Sequence, residues 1–361
     1  MKYVALILAI GMLSACNRND DPGGNDRQAT SADGTQQPEL ATSMKFADAK
    51  GDMPPLPADL EMLPVQLALD RLGFSPGVLD GKPGESLKLA LAGFQTANSL
   101  TANGSLDDAT KEALAKASVV APTLLVRIPA PFANQTFYPD FPKGAAEQAK
   151  LPALGYRSLM EALAERFHTT PETLVALNAA DTKIGAGRVI VVPNIPEVAA
   201  PSSELAARGW DKTLLSLGLA GDQPDVESIL VDKSGGWLRT LDKEGEIIGQ
   251  FPVTTGSAYD PLPIGNWTVK GVARNPDFHY NPKLFWDVSD TQEKQLLKPG
   301  PNSPVGVVWI DLSKPHYGIH GTAEPATIGR TESHGCVRLT NWDAARLADM
   351  VKPGTKVIFQ K

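Results

Sequence analysis

Cysteine is scarce in this 361-residue chain, which has only the two thiols of Cys16 and Cys336. Histidine is almost as rare: there are five, and three of them fall within the stretch His316 to His334. Lysine and arginine are spread along the chain rather than clustered, and the formal net charge is -7. A phosphate-binding surface needs a concentrated basic patch, so this distribution argues against nucleic acid as the partner. The N-terminal apolar run, Val4 to Leu13, stops well short of the about 20 residues that a membrane-spanning helix requires. Hydrophobic residues still make up 42 % of the chain, which rules out wholesale disorder, and the length suits two or three domains.

What is present at the N-terminus has the form of an export signal. Lys2 supplies a positive start, Val4 to Leu13 an apolar core, and Leu13-Ser14-Ala15-Cys16 small residues ahead of a cysteine. That ending resembles a bacterial lipobox, which implies that residues 1–16 are a lipoprotein signal and that Cys16 receives the lipid. Two or three acyl chains would anchor the protein to a membrane, where one alone binds only marginally. With Cys16 lipidated no intramolecular disulfide can form, so Cys336 is a lone thiol in an oxidising compartment. Such a thiol is a liability unless it does chemistry. Asn17, rather than Asp, after the lipidated cysteine favours the outer membrane in a Gram-negative cell.

Residues 17–57 are rich in Gly, Asp, Asn, Gln, Ser, Thr and Pro and read as a disordered tether. Residues 58–117 then show helical spacing: Val65, Leu69 and Leu72 with Gly73 as a C-cap, Leu87, Leu91 and Phe94, and a third helix over Asp107 to Ala115. The string V-Q-L-A-L-D-R-L-G-F-S-P-G-V-L-D-G, with F-Q and L-D-D-A-T-K-E-A-L after it, resembles the three-helix peptidoglycan-binding-like fold. After a Pro- and Ala-bearing connector, residues 154–196 read as helix, helix, strand, and Pro171 opens the second helix. The string L-A-E-R-F-H-T-T-P-E-T-L-V-A-L-N, ending in V-I-V-V-P, resembles a lysin-motif (LysM) module, a family that binds N-acetylglucosamine-containing glycans. Tyr156-Arg157-Ser158 stands where that family carries Gly-Asp-Thr, and His168 reads as a helix-end residue rather than a ligand.

A second linker leads to residues 225–361, which read as a mostly β domain. Short β-branched and aromatic runs such as Ile229-Leu230-Val231, Trp267-Thr268-Val269 and Val307-Val308-Trp309-Ile310 are punctuated by Gly and Pro, and Trp342 to Met350 is the one strong helix. The tryptophans read as core, and His279-Tyr280-Asn281-Pro282 as a loop or turn that could border a donor cleft. A catalytic thiol needs a base, a group that orients the base, and N–H donors for an oxyanion. The stretch His316 to Asn341 holds candidates for each: Cys336 as nucleophile, His320 as base, and the Gly335 and Cys336 N–H groups facing the oxyanion.

His320-Gly321, an intervening loop and Ser333-His334-Gly335-Cys336-Val337-Arg338 resemble the L,D-transpeptidase (YkuD-type) signature. Pro263-Ile264-Gly265, Asp343-Ala344 and Gly354-Thr355-Lys356-Val357 also fit, so the resemblance covers most of the last domain. It implies that Cys336 attacks the bond between diaminopimelate and D-alanine in a peptidoglycan tetrapeptide stem, leaving a thioester. His320 would move the proton, with the Gly321 carbonyl holding its ring. His334 would shape the site and polarise the intermediate. Arg338, Ser333 and Gly335 would bind the substrate, Arg338 by holding a donor carboxylate, Ser333 by ordering the loop and Gly335 by letting the backbone approach closely. The acceptor amine could be a second stem or a lysine of an outer-membrane protein, and no cofactor or metal is called for.

Other readings of the same residues are a buried structural cysteine and a metal site at His316, His320, His334 and Cys336, although no H-E-x-x-H spacing occurs. Two more are a catalytically silent wall-binding lipoprotein and a wall carboxypeptidase or endopeptidase with water as acceptor.

Overall fold

The structure, a computed structural model, describes residues 43–361 apart from 119, 180, 199–202, 221, 285–287 and 290–291. The signal segment, Cys16 and the tether up to residue 42 lie outside the described residues. The first folded segment is a short strand, β1 (Ala47–Asp48), followed by α1 (Leu63–Arg71), α2 (Glu85–Ala97) and α3 (Asp108–Ala117). The three helices fall where the apolar spacing predicts them. Gly73, at φ +84°, closes α1 in a Schellman arrangement: the Phe74 N–H donates to Leu69 O and the Gly73 N–H to Asp70 O. Asp107 caps α3 by accepting from the Thr110 N–H at 2.9 Å and the Thr110 hydroxyl at 2.7 Å. Asp107→Ala should therefore destabilise the helical domain by about 1 kcal/mol, measured by urea denaturation. An unchanged midpoint would mean that the cap is redundant.

Next come β2 (Thr123–Arg127), α4 (Ala130–Ala133), α5 (Ala145–Gln148), α6 (Leu159–Arg166), α7 (Pro171–Asn178) and β3 (Val189–Pro193). They build a small sheet in the order β1-β2-β3, all antiparallel, under α6 and α7. Asn178, at the end of α7, extends the pairing: its side-chain oxygen accepts from the Val191 N–H at 2.7 Å, and its amide donates to Val191 O at 2.6 Å. Two expectations change here. Residues 43–57 do not all belong to a tether, because β1 pairs with β2 and Phe46 is buried edge-on against Phe132 and Phe167, with ring centroids 4.9 and 5.2 Å apart. Met44 and Leu56 pack against the same core as Phe46. The module expected at 154–196 also starts earlier, because the strand that β3 pairs with is β2, inside the expected connector.

The expected second linker is also folded. It contains α8 (Trp210–Ser216), whose Trp210 and Leu214, together with the following Leu217 and Leu219, enter the core of the last domain. That domain consists of β4 (Ser228–Asp232), β5 (Trp237–Leu241), β6 (Ile247–Pro252), β7 (Gly265–Arg274), β8 (Phe278–Tyr280), β9 (Gln295–Leu297), β10 (Val308–Leu312), β11 (Gly318–His320), β12 (Val337–Arg338), α9 (Asn341–Met350) and β13 (Lys356–Gln360). Eight strands form one sheet in the order β12-β11-β10-β7-β13-β4-β5-β6. β8 pairs with β9, so His279 and Tyr280 lie on a strand rather than in a turn.

The three modules share buried surfaces. α1 turns Leu63 and Leu67 toward the small sheet and Ala68 and Leu69 toward α2 and Phe74. In the last domain, α9 packs Trp342, Ala345 and Leu347 into the core of the large sheet. The ring of His168, just beyond α6, stacks on Trp342 at 5.1 Å. His168 is therefore a helix-end residue, fully buried, and bonded through Nδ1 to Asp70 and through Nε2 to Leu217 O.

Candidate active site

The edge of the large sheet positions the chemistry. β11 lies between β10, antiparallel, and β12, parallel. In the β11–β12 register Ile319 pairs with Val337, and both side chains are fully buried in the core. Alternation along a strand then puts His320 and its partner Arg338 on the opposite face. One step earlier, the same register sets Cys336 beside Gly318. Cys336 and His320 are thus diagonal neighbours on one face of two adjacent strands. Gly318 has no side chain to stand between them.

Local geometry holds each group. His320 is buried, its ring stacks on Trp309 with centroids 5.6 Å apart, and its Nδ1 lies 2.7 Å from Gly321 O. A carbonyl can only accept, so Nδ1 carries the proton and Nε2 is left with its lone pair. Burial, reinforced by the Arg338 charge, pushes the imidazole down to about 3, so at neutral pH the ring is an uncharged base. Cys336 is half-buried. Its sulfur lies 3.9 Å from His316 O, and the Gly318 N–H points to it. His316 adopts a left-handed φ of +68°, the turn conformation that brings this carbonyl round to the thiol. Burial pushes the Cys336 thiol above its ordinary range, opposed by the Gly318 N–H and the Arg338 charge.

The two directions make the resting pair a neutral thiol beside a neutral imidazole. Iodoacetamide should alkylate Cys336 slowly at pH 7, with a rate that rises about tenfold per pH unit from there and does not level off below about pH 8.5. A rate that levels off below pH 8 would show a preformed thiolate and overturn this assignment.

The loop before the cysteine is tied down from both sides. The Ser333 hydroxyl donates to Cys336 O at 2.6 Å, and its backbone bridges to Thr255 O and the Ser257 N–H. Gly335 has φ +101°, and a Cβ there would stand 2.8 Å from Cε1 of Tyr317, so only glycine fits. Arg338 exchanges both backbone hydrogen bonds with Thr254. His334 lies on this loop, partly exposed. Of the residues predicted for the site, Cys336, His320, Gly321, Ser333, His334, Gly335 and Arg338 therefore converge on one sheet edge, while Cys16 lies outside the described residues.

Trp309, Tyr317 and Asn341 belong to the same surroundings but were not singled out from the sequence. By residue type Trp309 reads as core, whereas its pairing with His320 across β10–β11 puts it under the ring. Among the described residues, no group of three or more His, Cys, Asp or Glu side chains is placed to hold a metal ion.

Comparison with known proteins agrees with this geometry. Residues 227–359 match the family model "L,D-transpeptidase catalytic domain", and residues 61–114 match "Putative peptidoglycan binding domain". The chain is 27 % identical over 202 residues to the Bacillus licheniformis protein named "Putative L,D-transpeptidase YkuD", covering 55 % of this chain and 91 % of that one. The Bacillus subtilis protein of the same name is 26 % identical over 203 residues, 56 % of this chain and 93 % of that one. The Escherichia coli protein "Probable L,D-transpeptidase YbiS" is 30 % identical over 142 residues, 38 % of this chain and 46 % of that one. The two Bacillus alignments are longer than the catalytic domain, so the likeness runs upstream of it. The chain carries an L,D-transpeptidase catalytic domain over residues 227–359, preceded by a peptidoglycan-binding-type domain over residues 61–114.

Proposed function

We propose that the protein is an L,D-transpeptidase that works through a Cys336 thioester on tetrapeptide stems of peptidoglycan. The observation that carries this is the pairing of β11 with β12, which sets a thiol and an uncharged, ring-locked imidazole on one face of the sheet. In the first half-reaction the Cys336 sulfur attacks the carbonyl carbon between diaminopimelate and D-alanine, and His320 Nε2 takes the thiol proton. The N–H groups of Gly335 and Cys336 receive the oxyanion. The C–N bond then breaks, the D-alanine amine takes the proton from His320, and a thioester remains. In the second half-reaction an acceptor amine attacks the thioester, His320 takes its proton, and Cys336 leaves as the thiol. Arg338 binds a donor carboxylate, His334 lines the entrance, and Ser333 holds the loop.

Export and lipidation at Cys16 would tether the enzyme in the cell envelope, facing the periplasm, with the outer membrane favoured in a Gram-negative cell. One feature supports the LysM-like reading of the second module: its pair of helices packed over antiparallel β2 and β3. Glycan strands are the ligand proposed for that module and for the three-helix domain.

The test is to incubate protein lacking residues 1–16 with a carbapenem and with disaccharide-tetrapeptide, and to follow intact mass and products. A covalent adduct with D-alanine release supports the thioester, and the product identifies the acceptor: a crosslinked dimer, a protein conjugate, or a trimmed tripeptide if water is used. Folded protein that forms no adduct and releases no D-alanine would instead favour a silent wall-binding lipoprotein.

A further inference from the structure

We propose that Glu165, a residue of the helical module ahead of the catalytic domain, is a positioning residue for His320, acting through Asn341 and Gly321. The inference rests on His320 serving as the base in the reaction above.

Glu165 lies on α6 and is almost completely buried. Its partners come from two modules: Tyr156 donates to it at 3.0 Å, and the Asn341 amide at the start of α9 donates to Oε1 at 2.9 Å and Oε2 at 3.2 Å. The same amide also donates to Pro301 O at 3.1 Å, while Asn341 Oδ1 accepts from the Val307 N–H at 3.2 Å. Both ends of Asn341 are thereby fixed, and the side chain presses on two glycines. A Cβ on Gly321 would stand 2.3 Å from Asn341 Oδ1, and one on Gly306 would stand 2.0 Å from it. Gly321 is the residue whose carbonyl fixes the His320 ring. The chain of contact therefore runs Glu165, Asn341, Gly321, His320, with no gap.

The neighbouring loop reinforces this. Leu154 and Asn302 join the module to residues 299–302 through the bonds Leu154 N to Pro299 O, Asn302 N to Leu154 O, and Asn302 Nδ2 to Gly155 O, each 2.9 Å. The module thus supports the floor on which the His-Gly step rests. Burial, offset by bonds from Asn341 and Tyr156 and reinforced by the nearby Glu161 charge, raises the Glu165 carboxyl to about 8. Glutamine keeps the shape of this side chain and an oxygen that can accept from the Asn341 amide.

The test uses Glu165→Ala, Glu165→Gln and Glu165→Met in the full chain, each first checked for a cooperative melt. Two quantities are measured: the titration midpoint of His320 by NMR, and kcat and KM for acylation of Cys336 by disaccharide-tetrapeptide. Glu165→Ala should lower kcat by about 10- to 100-fold with KM within about twofold, because a small displacement of the base is costly while donor contacts persist. It should also move the His320 midpoint up from about 3, as the loosened floor admits water. Glu165→Gln should restore both values. If Glu165→Ala does not fold, Glu165→Met, which keeps the volume without the hydrogen bonds, should show the same loss.

A folded Ala or Met variant with wild-type kcat and His320 midpoint would overturn the proposal, as would a Gln variant that fails as the Ala variant does. Failure of the reaction itself would look different. Wild-type protein would then not be acylated, while the His320 midpoint would still report whether Glu165 positions the ring.

Discussion

Cys336→Ala is expected to abolish acylation by a tetrapeptide donor, and Cys336→Ser to slow it by at least about 10³-fold, with donor binding little changed. The reason is that the proposed nucleophile sits where no other group can replace it. Val337 on one side points into the core, and Gly335 on the other is hemmed in by Tyr317 and Gly256. A serine hydroxyl in this position is far harder to deprotonate than a thiol, and His320 is a weak base with its conjugate acid held near 3. A weak base next to a thiol of raised pKa means that proton transfer must accompany attack rather than precede it. His320→Gln should therefore also be severely impaired, by about 10² to 10⁴. Intact mass after exposure to donor, with released D-alanine quantified, decides the matter. Turnover that survives Cys336→Ala would end the thioester reading, and turnover that survives His320→Gln would remove His320 as the base.

Arg346→Ala is expected to destabilise the folded protein by about 3–5 kcal/mol. Arg346 on α9 donates to both oxygens of Asp70 on α1, at 2.9 and 2.8 Å. Asp70 also holds His168 Nδ1 at 3.1 Å, and Arg346 lies 3.4 Å from Asp343, whose other oxygen accepts from the Ser75 hydroxyl. The cluster joins the three-helix domain, the second module and the catalytic domain, with Asp70, Asp343 and His168 buried and the Arg346 side chain 13 % exposed. Burial opposes the charge on Asp70, yet Arg346 and then His168 hold its carboxyl well below the usual carboxylate range.

Removing the guanidinium would leave the buried Asp70 carboxylate without its cationic partner, which is why truncation should be so costly. The double variant Asp70→Asn with Arg346→Met should recover a large part of the loss, because it removes the Asp70 charge together with that partner. Urea denaturation of the single and double variants measures this. A single variant within 1 kcal/mol of wild type, by the linear extrapolation used for such curves, would show that water reaches the cluster.

Much of the local structure could be read from the residue pattern. Apolar spacing in Leu69, Leu72, Leu87, Leu91 and Phe94 marks the helices of the first domain, and Gly73 marks where α1 stops. β-Branched and aromatic runs mark most strands of the last domain. What misled was treating polar composition as unfolded. Phe46 and Trp210 each lie in a stretch that reads as tether or linker, and each is buried. The cost of ordering such a segment is met by one or two large side chains, a contribution that averages over composition do not register.

The candidate site was legible in the sequence, because the proposed nucleophile, the proposed base and the loop glycines fall within one short segment. Tertiary structure decided what surrounds them. That His320 stacks on Trp309, that its ring is held neutral by burial, and that Asn341 lies beneath Gly321 all depend on strand register and on α9. The way the modules are joined was decided there as well. Asp70, Glu165, His168 and Arg346 are separated by up to 276 positions along the chain and read one at a time as ordinary polar residues. They become a buried network only when three folded modules close around them, since desolvation and hydrogen bonding between distant segments leave no periodicity in the sequence.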